Sequence, residues 1–274
     1  MRYIMPEGMR YSTLSERKSF YRDEFDVKRL EKWMRSRKIE NTVFACILGR
    51  HTGIYLKKFA KIFTQTVLFD DLVDYDELRK SLAKYLPEGA YYDRNLYKER
   101  ERCANCRLLH NCFRCANFLG QELAFDVDPE NLTCPVHGDL AEKMKRHQGL
   151  GFCTYEFSAV RQETLKLHEY LEEEFSHLSI VYSGRGFHIH VLDEDAYLMK
   201  AGERKRLARE IIGKDILIDE WVTSGEMRLI RLPYSLHGMV SRICMPLSKK
   251  GIERFDPVKN KKIMPGFLTR PSLQ

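Results

Sequence analysis

The sequence predicts an α+β fold on three observations. Apolar residues recur at helical spacing in several stretches, while short apolar runs end on Gly or Pro as strands do. The two kinds of segment mix without the regular strand–helix–strand rhythm of a doubly wound sheet. With 274 residues, 43% hydrophobic and 31% charged, the chain is long enough to bury a core and too apolar to be disordered.

Residues 13–38 read as helical, with Phe20, Phe25, Leu30 and Trp33 interleaved with charges. The apolar run Thr42 to Leu48 reads as a buried strand. Asp74 to Tyr85 reads as an amphipathic helix stopped by Leu86-Pro87-Glu88-Gly89. A Cys-rich insertion covers 100–118, a strand runs from Gln121 to Asp128, and 129–155 reads as irregular. Val160, Thr164, Leu167, Leu171 and Phe175 mark a helix. Ile180 to Tyr182 and Phe187 to Leu192 read as strands around the turn Ser183-Gly184-Arg185-Gly186. A helix over Arg204 to Ile212 and a strand over Met227 to Leu232 follow.

The net charge is +7, from 46 Lys and Arg against 39 Asp and Glu. Residues 241–274 hold eight of the bases and only Glu253 and Asp256 of the acids, so this basic C-terminal segment carries most of the excess. A basic end on a nearly neutral body suits a polyanion partner; a solvated tail is the plainer alternative. No apolar run approaches the ~20 residues of a membrane helix, and the N-terminus lacks a signal-peptide layout. The expectation is a cytoplasmic protein without a membrane partner, so its eight cysteines need a reason other than secretory disulfides.

The segment Glu122-Leu-Ala-Phe-Asp126-Val-Asp128-Pro carries the most chemistry. On a strand Leu123, Phe125 and Val127 face a core, and Asp126 and Asp128 share the other face, roughly 6.6 Å apart along the chain. Such carboxylates can grip the divalent ions used in phosphoryl transfer. Solvent-facing aspartates before a proline turn are the alternative. Asp219, after an apolar stretch, can complete the site or simply cap a helix.

The hairpin Ser183-Gly184-Arg185-Gly186-Phe187-His188 offers an anion nest, a hydroxyl and a guanidinium fork matched to phosphate. His188 and His190 fall on one face, as a metal-binding pair or as solvent-facing side chains. Arg228-Leu-Ile-Arg231-Leu-Pro-Tyr-Ser-Leu-His237 places Arg231 and His237 where they can clamp a triphosphate, unless the charges only decorate a surface strand.

Cys103-x2-Cys106-x5-Cys112-x2-Cys115 has the spacing of a closed structural zinc site; an iron–sulfur cluster or disulfides are the other readings. Cys134, His137, His147 and Cys153 form a second, looser candidate zinc group in which a final CxxC is interrupted by Glu156. Cys46, in an apolar strand, reads as a small core residue.

In order and spacing, these segments resemble the archaeo-eukaryotic primase superfamily, nearest the archaeal DNA primase small (catalytic) subunit and related primase-polymerases. Four motifs carry the likeness: Asp126-x-Asp128, Ser183 to His188, Ile-Asp219, and Arg228 to Gly238. Phe20-Tyr-Arg-Asp-Glu-Phe25 and Glu88-Gly-Ala-Tyr-Tyr92 add to it, so the resemblance covers most of the chain.

The resemblance implies one catalytic domain over 1–274, with an RRM-like mixed or antiparallel sheet flanked by helices and zinc-binding insertions at 100–118 and 129–156. It implies that Asp126, Asp128 and Asp219 hold Mg²⁺ or Mn²⁺. Ser183, Arg185, His188, Arg231 and His237 would bind the nucleotide's phosphates. The implied reaction joins NTPs or dNTPs on a single-stranded DNA template, in a nucleoid-associated setting and with a primase large subunit or other replication or repair protein as partner. Many relatives carry Lys two residues after the last motif histidine, where this chain has Met239. An end-joining gap-filling polymerase, a non-catalytic zinc-stabilised nucleic-acid-binding subunit and a metal-dependent nuclease are the competing functions. The last two do not call for acids and a triphosphate cradle together.

Overall fold

The computed structural model describes residues 4–37, 39, 42–69, 72, 74–99, 102 and 115–269. The strands are β1 (Phe44–Ile47), β2 (Thr66–Phe69), β3 (Gly89–Asp93), β4 (Asn95–Tyr97), β5 (Phe118–Gln121), β6 (Leu123–Val127), β7 (Leu178–Tyr182), β8 (Phe187–Val191), β9 (Leu229–Arg231), β10 (Leu236–His237), β11 (Arg242–Ile243) and β12 (Met245–Leu247). The α-helices are α1 (Leu14–Ser19), α2 (Val27–Arg35), α3 (Tyr75–Tyr85), α4 (Leu140–Lys145), α5 (Thr154–Leu171), α6 (Glu194–Tyr197), α7 (Ala201–Gly213), α8 (Glu220–Thr223), α9 (Lys249–Glu253) and α10 (Gly266–Thr269). The described residues form two compact units: 4–9, 121–227 and 246–258 in the first, and 10–120, 228–245 and 259–269 in the second. Both are mixed α+β, and the sheet pairings at their centres are antiparallel.

The first unit is built on the sheet β12-β7-β8-β6. α5 packs on β8 and β6 and buries Val160, Thr164, Leu167 and Leu171 as their spacing predicts, with Phe157 added; Phe175, expected on the same face, lies beyond the helix end and is half-buried. It begins at Thr154, earlier than the apolar spacing indicates, because Glu156 caps the Cys153 backbone N–H at 2.8 Å. Tyr182 and Phe255, with ring centroids 4.7 Å apart, close the core with Phe157 and Phe187. The stretch 129–155, which reads as irregular, contains α4, nucleated by a reciprocal cap between Asp139 and Glu142.

The second unit is built on the sheet β2-β1-β3-β9. Leu30, Trp33 and Met34 of α2 and Leu78 and Leu82 of α3 are buried, and Trp33 meets the Tyr92 ring edge-on at 5.8 Å. The helix expected across 13–38 is broken. A π-helical turn runs from Phe20 to Glu24, the chain leaves helix at Phe25, and Asp26 starts α2 by accepting the Arg29 N–H at 2.9 Å. Arg17 is fully buried and donates to the Leu48, Ile54 and Leu86 carbonyls. Burial lowers its pKa to about 10, with Glu88 acting against that fall.

Cys46 is completely buried, as the strand pattern suggests, and desolvation raises its thiol pKa. No helix among the described residues is long and apolar enough to cross a membrane. Cys103, Cys106 and Cys112 of the first zinc candidate lie outside the described residues, while Cys115 is described and exposed.

Candidate active site

β6 alternates as its sequence requires. Leu123, Phe125 and Val127 are buried, whereas Asp126 and Asp128 keep partial exposure on the opposite face. Asp219 comes to this strand from far along the chain, and its backbone N–H donates to the Asp126 carbonyl at 2.9 Å. It also caps α8, its carboxylate accepting the Trp221 N–H at 2.8 Å. Of the two readings of Asp219 made from the sequence, the helix cap is the one its carboxylate performs here.

The glycine hairpin meets the same strand. β8 pairs with β6 in a register that sets His188 opposite Asp126, and the His188 Nε2 lies 3.5 Å from Asp126 Oδ1. Gly186 is required here by close approach: a Cβ would stand 2.1 Å from the Val127 carbonyl oxygen and 2.9 Å from the Asp128 Cα. We expect Gly186→Ala to destabilise the protein by about 2 kcal/mol or more, read as a lowered thermal midpoint, because the obstructing atoms are backbone and cannot rotate away. An unchanged midpoint would show that the hairpin does not rest on the acid strand.

The hairpin's polar groups are already engaged. The Gly186 N–H donates to Ser183 Oγ at 3.2 Å, and the Ser183 N–H to the Gly186 carbonyl at 3.0 Å. Arg185 is buried; it donates to the Leu150 carbonyl at 2.8 Å, to Asp128 Oδ1 at 2.9 Å and to Glu130. Its fork, expected to face phosphate, thus pairs with Asp128 and with Glu130, which the sequence gives no reason to single out.

His190 is not solvent-facing. It is completely buried, with Nδ1 3.2 Å from Glu122 Oε1, and Glu122 is equally buried. This carboxylate partner leaves the His-x-His pair divided between two acids rather than aimed at one ion.

In the second unit, Arg231 lies over the Tyr91 ring with Cζ 4.4 Å from its centroid, and its Nη2 is 3.1 Å from His237 Nε2. Its buried Nε and Nη1 make no hydrogen bond among the described residues. Burial opposes its charge, but Tyr91, Cys244 and Glu88 more than offset that, so its pKa stands above the ordinary arginine value. A buried guanidinium with open N–H groups is a ready partner for an anion. Met239, in the place of the relatives' Lys, is buried; Arg242 is buried too and donates to the Val240 and Ser241 carbonyls.

The second Cys/His group is assembled with one exchange. Cys134, His137, Cys153 and Glu156 place their ligand atoms within 4.8 Å of one another, the one such group among the described residues. His147, expected as a ligand, is exposed with a left-handed backbone (φ 58°) and stands outside it. The Cys134 and Cys153 sulfurs are 3.9 Å apart, and Cys134 Sγ is 3.4 Å from His137 Nδ1. Tetrahedral bonds of the usual Zn–S and Zn–N lengths require about 3.8 and 3.5 Å. Lys143, buried beside the group, holds Glu156 Oε1 at 2.6 Å. Desolvation raises the Cys153 thiol pKa in the absence of an ion.

Oxygen donors on a strand, a third acid tied to them by the backbone and a cationic hairpin fit the class of enzymes that transfer nucleotidyl groups. Comparison with known proteins narrows that class. The chain is 52% identical over 269 residues to an uncharacterized DNA primase small subunit-like protein of Archaeoglobus fulgidus, covering 98% of this chain and 95% of the relative. It is 27% identical over 239 residues to the DNA primase small subunit of Thermococcus onnurineus, covering 84% of this chain but only 60% of that protein. No protein-family model matches. Among solved structures, the polymerase domain of Mycobacterium tuberculosis Ligase D in complex with DNA shares the fold at a TM-score of 0.53 and 11% identity, over 98% of this chain and 93% of the other. The chain belongs to the archaeal DNA primase small-subunit family, within the archaeo-eukaryotic primase superfamily of DNA-directed nucleotidyltransferases.

Proposed function

We propose that this chain joins nucleotides on a single-stranded DNA template, as a DNA primase or primase-polymerase working from NTPs or dNTPs. The observation that supports the reading is the Asp219 N–H on the Asp126 carbonyl, which brings the backbone of Asp219, more than ninety residues along the chain, to the strand that carries Asp126 and leads to Asp128. Asp126, Asp128 and Asp219 are all hard oxygen donors, the set that suits Mg²⁺ or Mn²⁺. When bound there, such an ion activates the attacking hydroxyl and screens the leaving phosphates.

The reaction joins a 3′-hydroxyl oxygen to the α-phosphorus and breaks the bond to the β-phosphate oxygen, so pyrophosphate leaves. In this reading the chain mainly positions and neutralises. Arg185 exchanges Asp128 and Glu130 for phosphate oxygens, and Ser183 and His188 hold the same tail. Arg231 supplies its open N–H groups to phosphate, and His237 orients that guanidinium. Cys134, His137, Cys153 and Glu156 hold a structural zinc ion, closed to chemistry by its four protein ligands. Cys103, Cys106, Cys112 and Cys115 are proposed as a second such site. The work is intracellular, at the nucleoid, with a primase large subunit as the expected partner.

The test is synthesis on homopolymer single strands with Mn²⁺ or Mg²⁺ and each labelled nucleotide set. Product whose composition follows the template supports the reading; no product, or product indifferent to the template, overturns it. Comparing an unprimed strand with a gapped duplex separates priming from end-joining fill-in. Arg231→Met should raise the nucleotide KM about ten- to a hundred-fold, the value of one or two charge-assisted hydrogen bonds. A KM equal to the parent's would remove Arg231 from the phosphate site.

A further inference from the structure

Trp221 is 65% exposed, two residues beyond Asp219, in a chain with only two tryptophans. Single exposed apolar side chains are ordinary, but here two of them, Trp221 and Met227, share the turn that follows Asp219. The Trp221 backbone is held in place on both sides. Its N–H is bonded to the Asp219 carboxylate at 2.8 Å, and its carbonyl accepts the Met227 N–H at 3.0 Å. Met227, itself 48% exposed, is thereby returned to the same turn.

Basic side chains of the neighbouring helix are paired with acids on either side of Trp221 in sequence. α7 packs on α8, Lys205 of α7 reaches Glu226 at 2.6 Å, and Arg209, one helical turn on, lies 3.9 Å from Glu220. Arg206, between them, is exposed. Exposed ion pairs of this kind contribute little to stability and can exchange their carboxylates for phosphates. A flat aromatic face flanked by such bases is how proteins hold single-stranded nucleic acid without reading its sequence.

We propose that Trp221 is a stacking platform for a nucleobase of the single strand beside the acid centre, with Lys205, Arg206 and Arg209 accompanying the strand's phosphates. Nothing in the motif resemblance assigns this residue a role. The inference rests on the polymerising function proposed for the same unit, but its test needs neither metal nor nucleotide. It can therefore fail while template-directed synthesis stands, and survive if synthesis is absent.

The experiment is titration of the full chain with a fifteen-residue oligothymidylate at fixed salt, followed by tryptophan emission and by anisotropy of a labelled strand. Trp33 is buried and serves as an internal reference. Emission should be quenched in the parent but not in Trp221→Phe, which keeps a ring and most of the affinity. Trp221→Leu should bind about ten-fold more weakly. A fifteen-unit abasic strand of equal charge should bind the parent and the Leu variant alike and quench neither. Equal affinity of the parent and Trp221→Leu for oligothymidylate would overturn the proposal. Quenching by a free deoxynucleoside triphosphate but not by the strand would also overturn it, and assign the ring to the incoming base.

Discussion

Asp126→Asn is expected to lower nucleotide incorporation by about a thousand-fold while shifting the thermal midpoint by no more than a few degrees. Asparagine keeps the shape of aspartate, so the alternation of β6 and its pairing with β8 are undisturbed. What is lost is one negative oxygen donor. Divalent-ion stabilisation of a phosphoryl transition state is worth several kcal/mol, and each 1.36 kcal/mol is ten-fold in rate. The contact between Asp126 and His188 weakens as well, but at 3.5 Å it is a small contributor. Asp128→Asn should act similarly, with an added effect on Arg185, which then keeps only Glu130 as a carboxylate partner. Incorporation assays with matched melting curves decide the matter. Rates near the parent's in both variants would remove the acids from the chemistry.

Removing the ion proposed for Cys134, His137, Cys153 and Glu156 is expected to have the largest effect on stability. The segment from Cys134 to Glu156 holds little regular structure besides α4, and a tight turn in which Cys134 and Gly138 exchange backbone hydrogen bonds closes its start. With few apolar contacts of its own, such a segment relies on an ion to hold its ends together, and structural zinc supplies about 10 kcal/mol or more in small modules. Only part of that reaches the rest of the first unit. A loss of several kcal/mol lowers the midpoint of a protein this size by about 10 °C. Chelation should therefore lower the midpoint and open 134–156 to protease. Cys134→Ser should remove one equivalent of zinc by elemental analysis and leave any held by Cys103 to Cys115. A metal-free protein with the parent's midpoint and cleavage pattern would contradict the assignment.

Individual residues show how far the sequence could be read. The acid strand was legible because alternation and the stop at Pro129 are local, and burial follows them residue by residue. The hairpin was legible for the same reason, with Gly186 marking a close approach whose partner, the end of β6, only the fold supplies. Glu156 reads in sequence as an interruption of a CxxC; in the structure its carboxylate caps Cys153 and turns back into the cysteine–histidine group, where His147 had been expected. The pairing of His190 with Glu122 could not be read. Each looks like a polar residue bound for solvent, and each is buried because the other is there.

By itself the sequence determined the periodic features: which faces of β6 and α5 are apolar, and which motifs occur in which order. Those follow from sterics and hydrogen bonding within a few residues of each position. Only the tertiary structure decided which charges meet, as when Arg185 reaches Asp128 across 57 residues. A buried charge takes its partner from whichever distant segment loses water with it, and no local pattern records that choice.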